Sequence, residues 1–193
     1  MEDTRRLILG HAVDLVSEKG VRDVSFREVA RRAGVSHQAP YHHFGNLPGI
    51  LRAIAEEGFE SLGRKLLQAS RKSDPSEALT ACGIAYVSFA VENVGHFRVM
   101  FSRGLVDLSD EENPIESSVD CFGVLLEVTE RVWKEGHGRT MDSEGLAHVC
   151  WSTVHGLATL LTEGVIQRKS KREVKAEIKL VVEGLTALVK ETK

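Results

Sequence analysis

The chain has 193 residues, 42% of them apolar and 27% charged, with a formal net charge of −3. Such a composition builds a packed core of one large domain or two small ones, and it excludes a disordered chain and a wholly basic nucleic-acid-coating protein, though not a local basic face. No apolar run approaches the ~20 residues of a membrane span, and Met1 to Arg6 lacks the apolar stretch of a signal peptide. Cys82, Cys121 and Cys150 lie far apart in apolar surroundings. They read as reduced core residues of a cytoplasmic protein with no membrane partner.

Apolar residues recur at three- and four-residue steps, and no run alternates as a half-buried strand would, so the expected fold class is all-α. Nine helices are predicted, over 4–19, 25–32, 36–43, 46–71, 75–94, 96–103, 114–135, 143–167 and 171–191. Their starts carry caps. Ser25-Phe26-Arg27-Glu28 and Ser170-Lys171-Arg172-Glu173 have the pattern of capping boxes. Asp74-Pro75-Ser76-Glu77 and Asn113-Pro114-Ile115-Glu116 place proline at the first helical position, where no N–H is needed. Gly20, Gly34, Gly95, Gly104 and Gly136 stand where helices should stop. Helix length changes near residue 46, which divides an N-terminal domain (1–46) from a larger helical one (47–193), with the fourth helix as a rigid connection.

Residues 25–44 read SFREVARRAGVSHQAPYHHF. A short capped helix, a tight turn at Gly34-Val35 and a second helix starting at Ser36 have the spacing of a helix-turn-helix, whose second helix enters a major groove. Val29, Ala33, Val35 and Phe44 are expected to face Leu7, Ile8, Ala12, Leu15 and Val16 of the first helix. Pro40 lies within the second helix, so the Ser36 carbonyl should lose its ordinary intrahelical donor and the first turn should be distorted. Up to Arg52 there are 8 Lys and Arg against 6 Asp and Glu, a local charge of +2 within a chain of −3. His37, Gln38, Tyr41 and His42 put hydrogen-bonding groups on one short helix. Gln suits adenine edges, His suits guanine edges, and hydroxyls suit phosphates.

The order AVDLVSEKG, SFREVARRAGVS, YHHF, then a helix start, resembles the N-terminal domain of the TetR/AcrR family of bacterial transcriptional regulators. The resemblance implies a three-helix helix-turn-helix domain followed by a larger helical ligand-binding and dimerisation domain. It also implies a homodimer on a pseudo-palindromic operator of double-stranded DNA, most often a repressor released by a small effector, and no enzymatic activity. Carried over position by position, Ser25, Arg27, Ser36, His37, Gln38, Tyr41 and His42 would face DNA, with Ser25 and Tyr41 at phosphates. Where the family often has a phosphate-contacting Lys at the start of the next helix, this chain has Leu47. That contact is therefore either missing or supplied by Arg52 or Arg5.

In the C-terminal part, Val174, Ile178, Val181, Val182, Leu185, Leu188 and Val189 form a helical stripe, and the helix over 143–167 is apolar nearly all round. Taken alone, this pattern fits either ordinary core or an interface. Joined to the DNA-binding reading, it points to a homodimer through the helices near 143–167 and 171–191. Phe89, Phe97, Met100, Phe101, Phe122, Leu126, Trp151 and His155, interleaved with Tyr86, Asn93, His96, Arg98 and His148, fit either a dense core or the walls of a pocket for a largely apolar effector of unknown identity. Trp151-Ser152-Thr153-Val154-His155-Gly156 and His96-Phe97-Arg98-Val99-Met100-Phe101 resemble the Trp-His-Gly type of C-terminal domain in the same family. His148, Cys150 and His155 do not make a zinc pattern, and no catalytic motif is visible, so neither metal nor cofactor is expected.

Overall fold

The computed structural model describes residues 2–102, 115–167 and 170–192. Among these there are nine α-helices, one short 3-10 turn and no strand, as the periodicity requires. The helices are α1 (Glu2–Lys19), α2 (Phe26–Ala33), α3 (Ala39–Phe44), α4 (Leu47–Ser70), α5 (Pro75–Glu92), α6 (Val94–Met100), α7 (Glu116–Lys134), α8 (Ser143–Thr162) and α9 (Lys171–Glu191). The 3-10 turn, Val21–Asp23, has no counterpart among the predicted elements. Gly104 and the Asn113-Pro114 cap lie outside the described residues.

The chain forms two compact units. One comprises Met1–Glu60 with Asn93–Ile115, the other Ser61–Glu92 with Glu116–Lys193. In the first, α1 packs against α2 and α3 and also against α6. Ile8, Ala12, Leu15 and Val16 of α1 are buried, as are Val29, Ala30 and Ala33 of α2. Leu7, expected inside, is 46% exposed, and Leu9 is buried instead. The reason is that α1 serves helices on more than one side, which a pairing with α2 and α3 alone does not foresee.

Gly95 is a correction of the same kind. It does not stop a helix but lies within α6, and the break falls at Asn93. A Cβ on Gly95 would sit 2.5 Å from the Val13 carbonyl oxygen and 2.6 Å from the Ser17 hydroxyl of α1. The glycine is therefore there for close helix approach. Arg98, one turn further along α6, donates to the Val16 and Ser17 carbonyls at 3.3 and 2.9 Å. These belong to the last turn of α1, where the Val16 carbonyl also accepts from the Gly20 N–H at 2.9 Å.

In the second unit, α5 is the central helix and packs against α7, α8 and α9. Gly83 lets two neighbours approach at once: a Cβ there would meet Val182 of α9 at 2.8 Å and Val154 of α8 at 3.4 Å. Thr80 donates to Thr186 across α5 and α9 at 2.9 Å. Arg131 of α7 caps the end of α4, donating to the carbonyls of Ser70, Lys72 and Ser73. The three cysteines are buried, and none of them is in a disulfide. Burial pushes their thiols up, to about 11 for Cys82 and about 12 for Cys121 and Cys150. At neutral pH they are protonated, unreactive core residues.

The caps form largely where the residues place them. Asp74 accepts from the Glu77 N–H at 2.8 Å, and Ser170 from the Glu173 N–H at 3.2 Å. Gly20, Gly34 and Gly136 all have positive φ at helix or turn ends. The eighth helix ends at Thr162, earlier than the predicted 167, because Gly164 turns the chain with φ +70.

Candidate nucleic-acid interface

The helix-turn-helix is assembled by local chemistry. Ser25 caps α2, its hydroxyl accepting from the Glu28 N–H at 3.4 Å. Only half of the expected reciprocal box forms. The Glu28 carboxylate turns to Arg31, at 2.8 and 2.9 Å, and to Arg32, at 3.4 Å. A guanidinium is a stronger donor to a carboxylate than a neutral peptide N–H. Gly34 then closes α2 in the left-handed conformation, φ 65, and the Val35 N–H reaches the Ala30 carbonyl at 3.1 Å. This is the bond pattern of a Schellman stop, which needs a residue without a Cβ penalty.

The second helix differs from expectation at its start. It begins at Ala39, with Gln38 at the cap position and Pro40 in its first turn, and not at Ser36. The Ser36 carbonyl accepts from the Ala39 N–H at 3.0 Å, a tighter one-turn bond that replaces the donor Pro40 lacks. His37 and Gln38 are thereby set in a turn ahead of α3. Gly45 ends α3 with φ 71, and Asn46 caps α4, accepting from the Gly49 N–H at 2.8 Å. A Cβ on Gly49 would collide with the Phe44 carbonyl, so the entry to α4 also demands glycine.

All seven residues assigned to DNA, Ser25, Arg27, Ser36, His37, Gln38, Tyr41 and His42, are exposed. Tyr41 is 54% exposed while its ring packs edge-on against buried Phe26, centroids 4.8 Å apart. That contact fixes the ring and leaves the hydroxyl in solvent. His43 is half-buried. The basic residues behind this face are less available than their number suggests. Arg32 makes a two-pronged pair with Glu18 at 2.7 and 2.8 Å, and Lys19 lies 3.9 Å from Glu28. The Arg31 hydrogen bonds hold the Glu28 carboxyl down at about 2, and Arg32 lowers that of Glu18. Neither alternative to Leu47 is unengaged: Arg52 pairs with Glu56 at 2.9 Å, and Arg5 lies over the Phe44 ring, 5.0 Å from its centroid. The Glu18–Arg32–Glu28 network is absent from the sequence reading. The spacing of Glu28, Arg31 and Arg32 on one helix is its only sequence signal.

The residues considered for an effector pocket divide between the two units. In the first, Phe97 and Phe101 have ring centroids 5.2 Å apart, Phe59 joins Phe101 at 5.7 Å, and Met100 is fully buried. In the second, Phe122 lies 5.6 Å from Trp151, and Trp151 6.0 Å from His155. Phe89 is sealed in the core, while Leu126 is half-buried. Trp151 Nε1 donates to the Tyr86 hydroxyl at 3.3 Å, which lies 2.8 Å from His155 Nδ1. Burial lowers the pKa of His155 and raises that of Tyr86, so both are neutral near pH 7. Of the interleaved polar residues, Arg98 is occupied in capping α1, and His148 is exposed with its ring 5.5 Å from Phe122. No group of three or more metal-ligating side chains converges among the described residues.

A capped helix-turn-helix at the head of an all-helical chain defines a class of protein, and comparison with known proteins narrows it. Residues 8–54 match the profile of the bacterial regulatory proteins of the tetR family. Residues 79–185 match that of the tetracyclin repressor-like C-terminal domain, a range that contains both segments compared above with the Trp-His-Gly type. An uncharacterised HTH-type transcriptional regulator of Bacillus subtilis (strain 168), YobS, is 22% identical over 166 residues, covering 86% of this chain and 83% of that protein. The TetR family transcriptional regulator PfmR of Thermus thermophilus has the same fold, with a TM-score of 0.78 at 22% identity over 93% of this chain and 97% of that one. A protein of unknown function from Rhodococcus sp. RHA1 superposes with a TM-score of 0.75 at 26% identity, covering 97% and 95% of the two chains. The chain belongs to the TetR family and is a helix-turn-helix transcriptional regulator. Among the described residues no single helix is long and apolar enough to cross a membrane.

Proposed function

We infer that this regulator is a homodimeric, cytoplasmic repressor, released from a pseudo-palindromic operator by a small, largely apolar effector. In this reading residues 1–46 carry DNA recognition and 47–193 carry dimerisation and effector binding. The observation that carries it is the solvent-accessible set Ser25, Arg27, Ser36, His37, Gln38, Tyr41 and His42, presented by two short helices with defined stops and a tight turn between them. Phosphate contacts would come from Ser25 and Tyr41, and base contacts from His37, Gln38 and His42.

Dimerisation is supported by what the second unit leaves uncovered. The predicted stripe on α9 divides: Ile178, Val182 and Val189 are buried, whereas Leu188 is 64% exposed. Leu180, which is not part of that stripe, is 69% exposed on the same side, with Gly184 between the two. On α8, Val149 and Leu160 are exposed and flank Gly156. A Cβ on Gly156 or Gly184 would meet nothing within 4 Å. Mid-helix glycine costs about 1 kcal/mol against alanine, and an open glycine between exposed aliphatics suits the close approach of a second helix. Within the second unit, Phe89, Phe122, Leu126, Trp151 and His155 are assigned to effector binding, with the Tyr86–His155 pair as the polar anchor. An effector acts through its different affinities for the DNA-competent and incompetent states, with α4 as the connecting element.

The test is operator selection from a random duplex pool, followed by anisotropy titration of the selected duplex at fixed salt. Tyr41→Ala should weaken binding at least about tenfold, as loss of a phosphate contact and its aromatic support, while sedimentation still shows a dimer. A monomeric wild type, or unchanged affinity in the variant, overturns the corresponding assignment.

A further inference from the structure

From Ala33 to Leu51 the chain contains no Asp, Glu, Lys or Arg. This stretch includes the turn and all of α3. Its titratable side chains are His37, Tyr41, His42 and His43. His37 and His42 reach solvent, His43 is half-buried, and the His42 and His43 rings meet edge-on at 5.2 Å. Elsewhere, His11 lies 3.7 Å from the Asp14 carboxylate and His96 3.7 Å from that of Glu57.

The elements around α3 bring little unengaged charge. From α2 come Glu28, Arg31 and Arg32, bound to one another and to Glu18, with exposed Arg27 beside them. From α1 comes Arg5, spread over Phe44, and from α4 comes Arg52, held by Glu56. A segment meant for a polyanion thus has no fixed cation of its own, and Arg31, Arg32 and Arg52 beside it are already engaged by carboxylates.

We propose that the recognition segment carries its positive charge on imidazole, so that DNA binding is coupled to proton uptake at His37, His42 and His43. The proposal rests on the reading that this face meets DNA. Imidazole changes charge between about pH 5 and 8, and the negative potential of a duplex favours its protonated form. Each positive charge that imidazole adds to the face meeting the duplex releases a condensed counterion and steepens the salt dependence of binding, by up to about 0.9 in log–log slope. His42 and His43 share one end of the helix, so the first proton on that pair opposes the second. Among the described residues no carboxylate of α1, α2 or α4 is found paired with these imidazoles.

The test uses the full chain and a fluorescein-labelled duplex pool of random sequence at low ionic strength, by anisotropy at about pH 8 and about pH 6. Affinity should rise about tenfold or more on acidification, with a steeper salt slope at the lower pH. The triple variant H37Q/H42Q/H43Q should lose most of that rise, whereas H11Q and H96Q keep it. The double variant H37R/H42R should bind at pH 8 as the wild type does at pH 6, which a loss of fold would not produce. Binding by the wild type that ignores pH, or a pH dependence that survives in the triple variant, overturns the proposal alone. Absence of binding at both pH values removes the nucleic-acid reading and the proposal with it.

Discussion

The helix-turn-helix and the α5, α7, α8 and α9 bundle are held together by different physics. Residues 25–49 form short helices whose every end is specified by a local device: Ser25, Gly34, the Ser36–Ala39 bond, Gly45 and Asn46. A helix of six or eight residues is too short to be stable alone, so each cap is a large share of what defines it. The bundle helices run for 18 to 21 residues, and α5 buries residues around most of its circumference. There the ends matter less than the fit between faces, as at Gly83 and the Thr80–Thr186 bond. Local devices leave an outer face free to carry recognition chemistry. Packing leaves free only the face that no neighbour in the chain has covered.

Substitutions break this comparison at graded strength. The largest effect is expected in the bundle, where Phe89→Ala should cost about 3–5 kcal/mol in denaturant unfolding, because Phe89 is 1% exposed and its loss opens a cavity. A loss under about 1 kcal/mol would show that the bundle is not governed by packing. Next is Gly95→Ala, expected to cost about 1–3 kcal/mol by overpacking α6 against the Val13 carbonyl and the Ser17 hydroxyl. Thermal melting would detect it, and a neutral result would show that α6 can move off α1 without penalty.

A smaller effect, about 1 kcal/mol, is expected of Ser25→Ala through loss of the α2 cap. Hydrogen exchange should then quicken in α2 before it changes in α5. If both respond equally, the helix-turn-helix is not locally specified. The smallest effect concerns pH. With its carboxyl held at about 2, below the usual 4.5, Glu28 stabilises the folded chain fully above 4.5. That contribution fades as pH falls towards 2, so acid weakens the Lys19–Glu28–Arg31–Arg32 network and Glu28→Gln flattens this branch. Carboxyl NMR of Glu28 against pH checks the sign directly.

Much of the N-terminal architecture is legible because its determinants are neighbours in sequence. Ser25 and Glu28 are three apart, Gly34 follows the last turn of α2, and Pro40 has to disturb the start of α3. What a local reading misses there involves distant partners. Leu7 looks like core only while α1 is paired with α2 and α3 alone. Gly95 looks like a helix stop because its reason lies at Val13 and Ser17, some eighty residues earlier. Arg98 looks like a pocket residue for the same reason, although its carbonyl partners are on α1. Glu28 cannot be assigned to its guanidinium partners in place of the cap without knowing that Arg32 also reaches Glu18.

The amino-acid order alone determined an all-helical chain, a capped helix-turn-helix with a polar outer face, and three cysteines set among apolar neighbours. Each follows from side-chain periodicity or from contacts within about one helical turn, which local geometry enforces. Only the folded chain decided which side of α8 and α9 is left bare, which glycines separate crossing helices, and which basic residues are already spoken for by carboxylates. Those outcomes depend on distances between segments remote in the chain, and periodicity carries no information about which remote segment will be the neighbour.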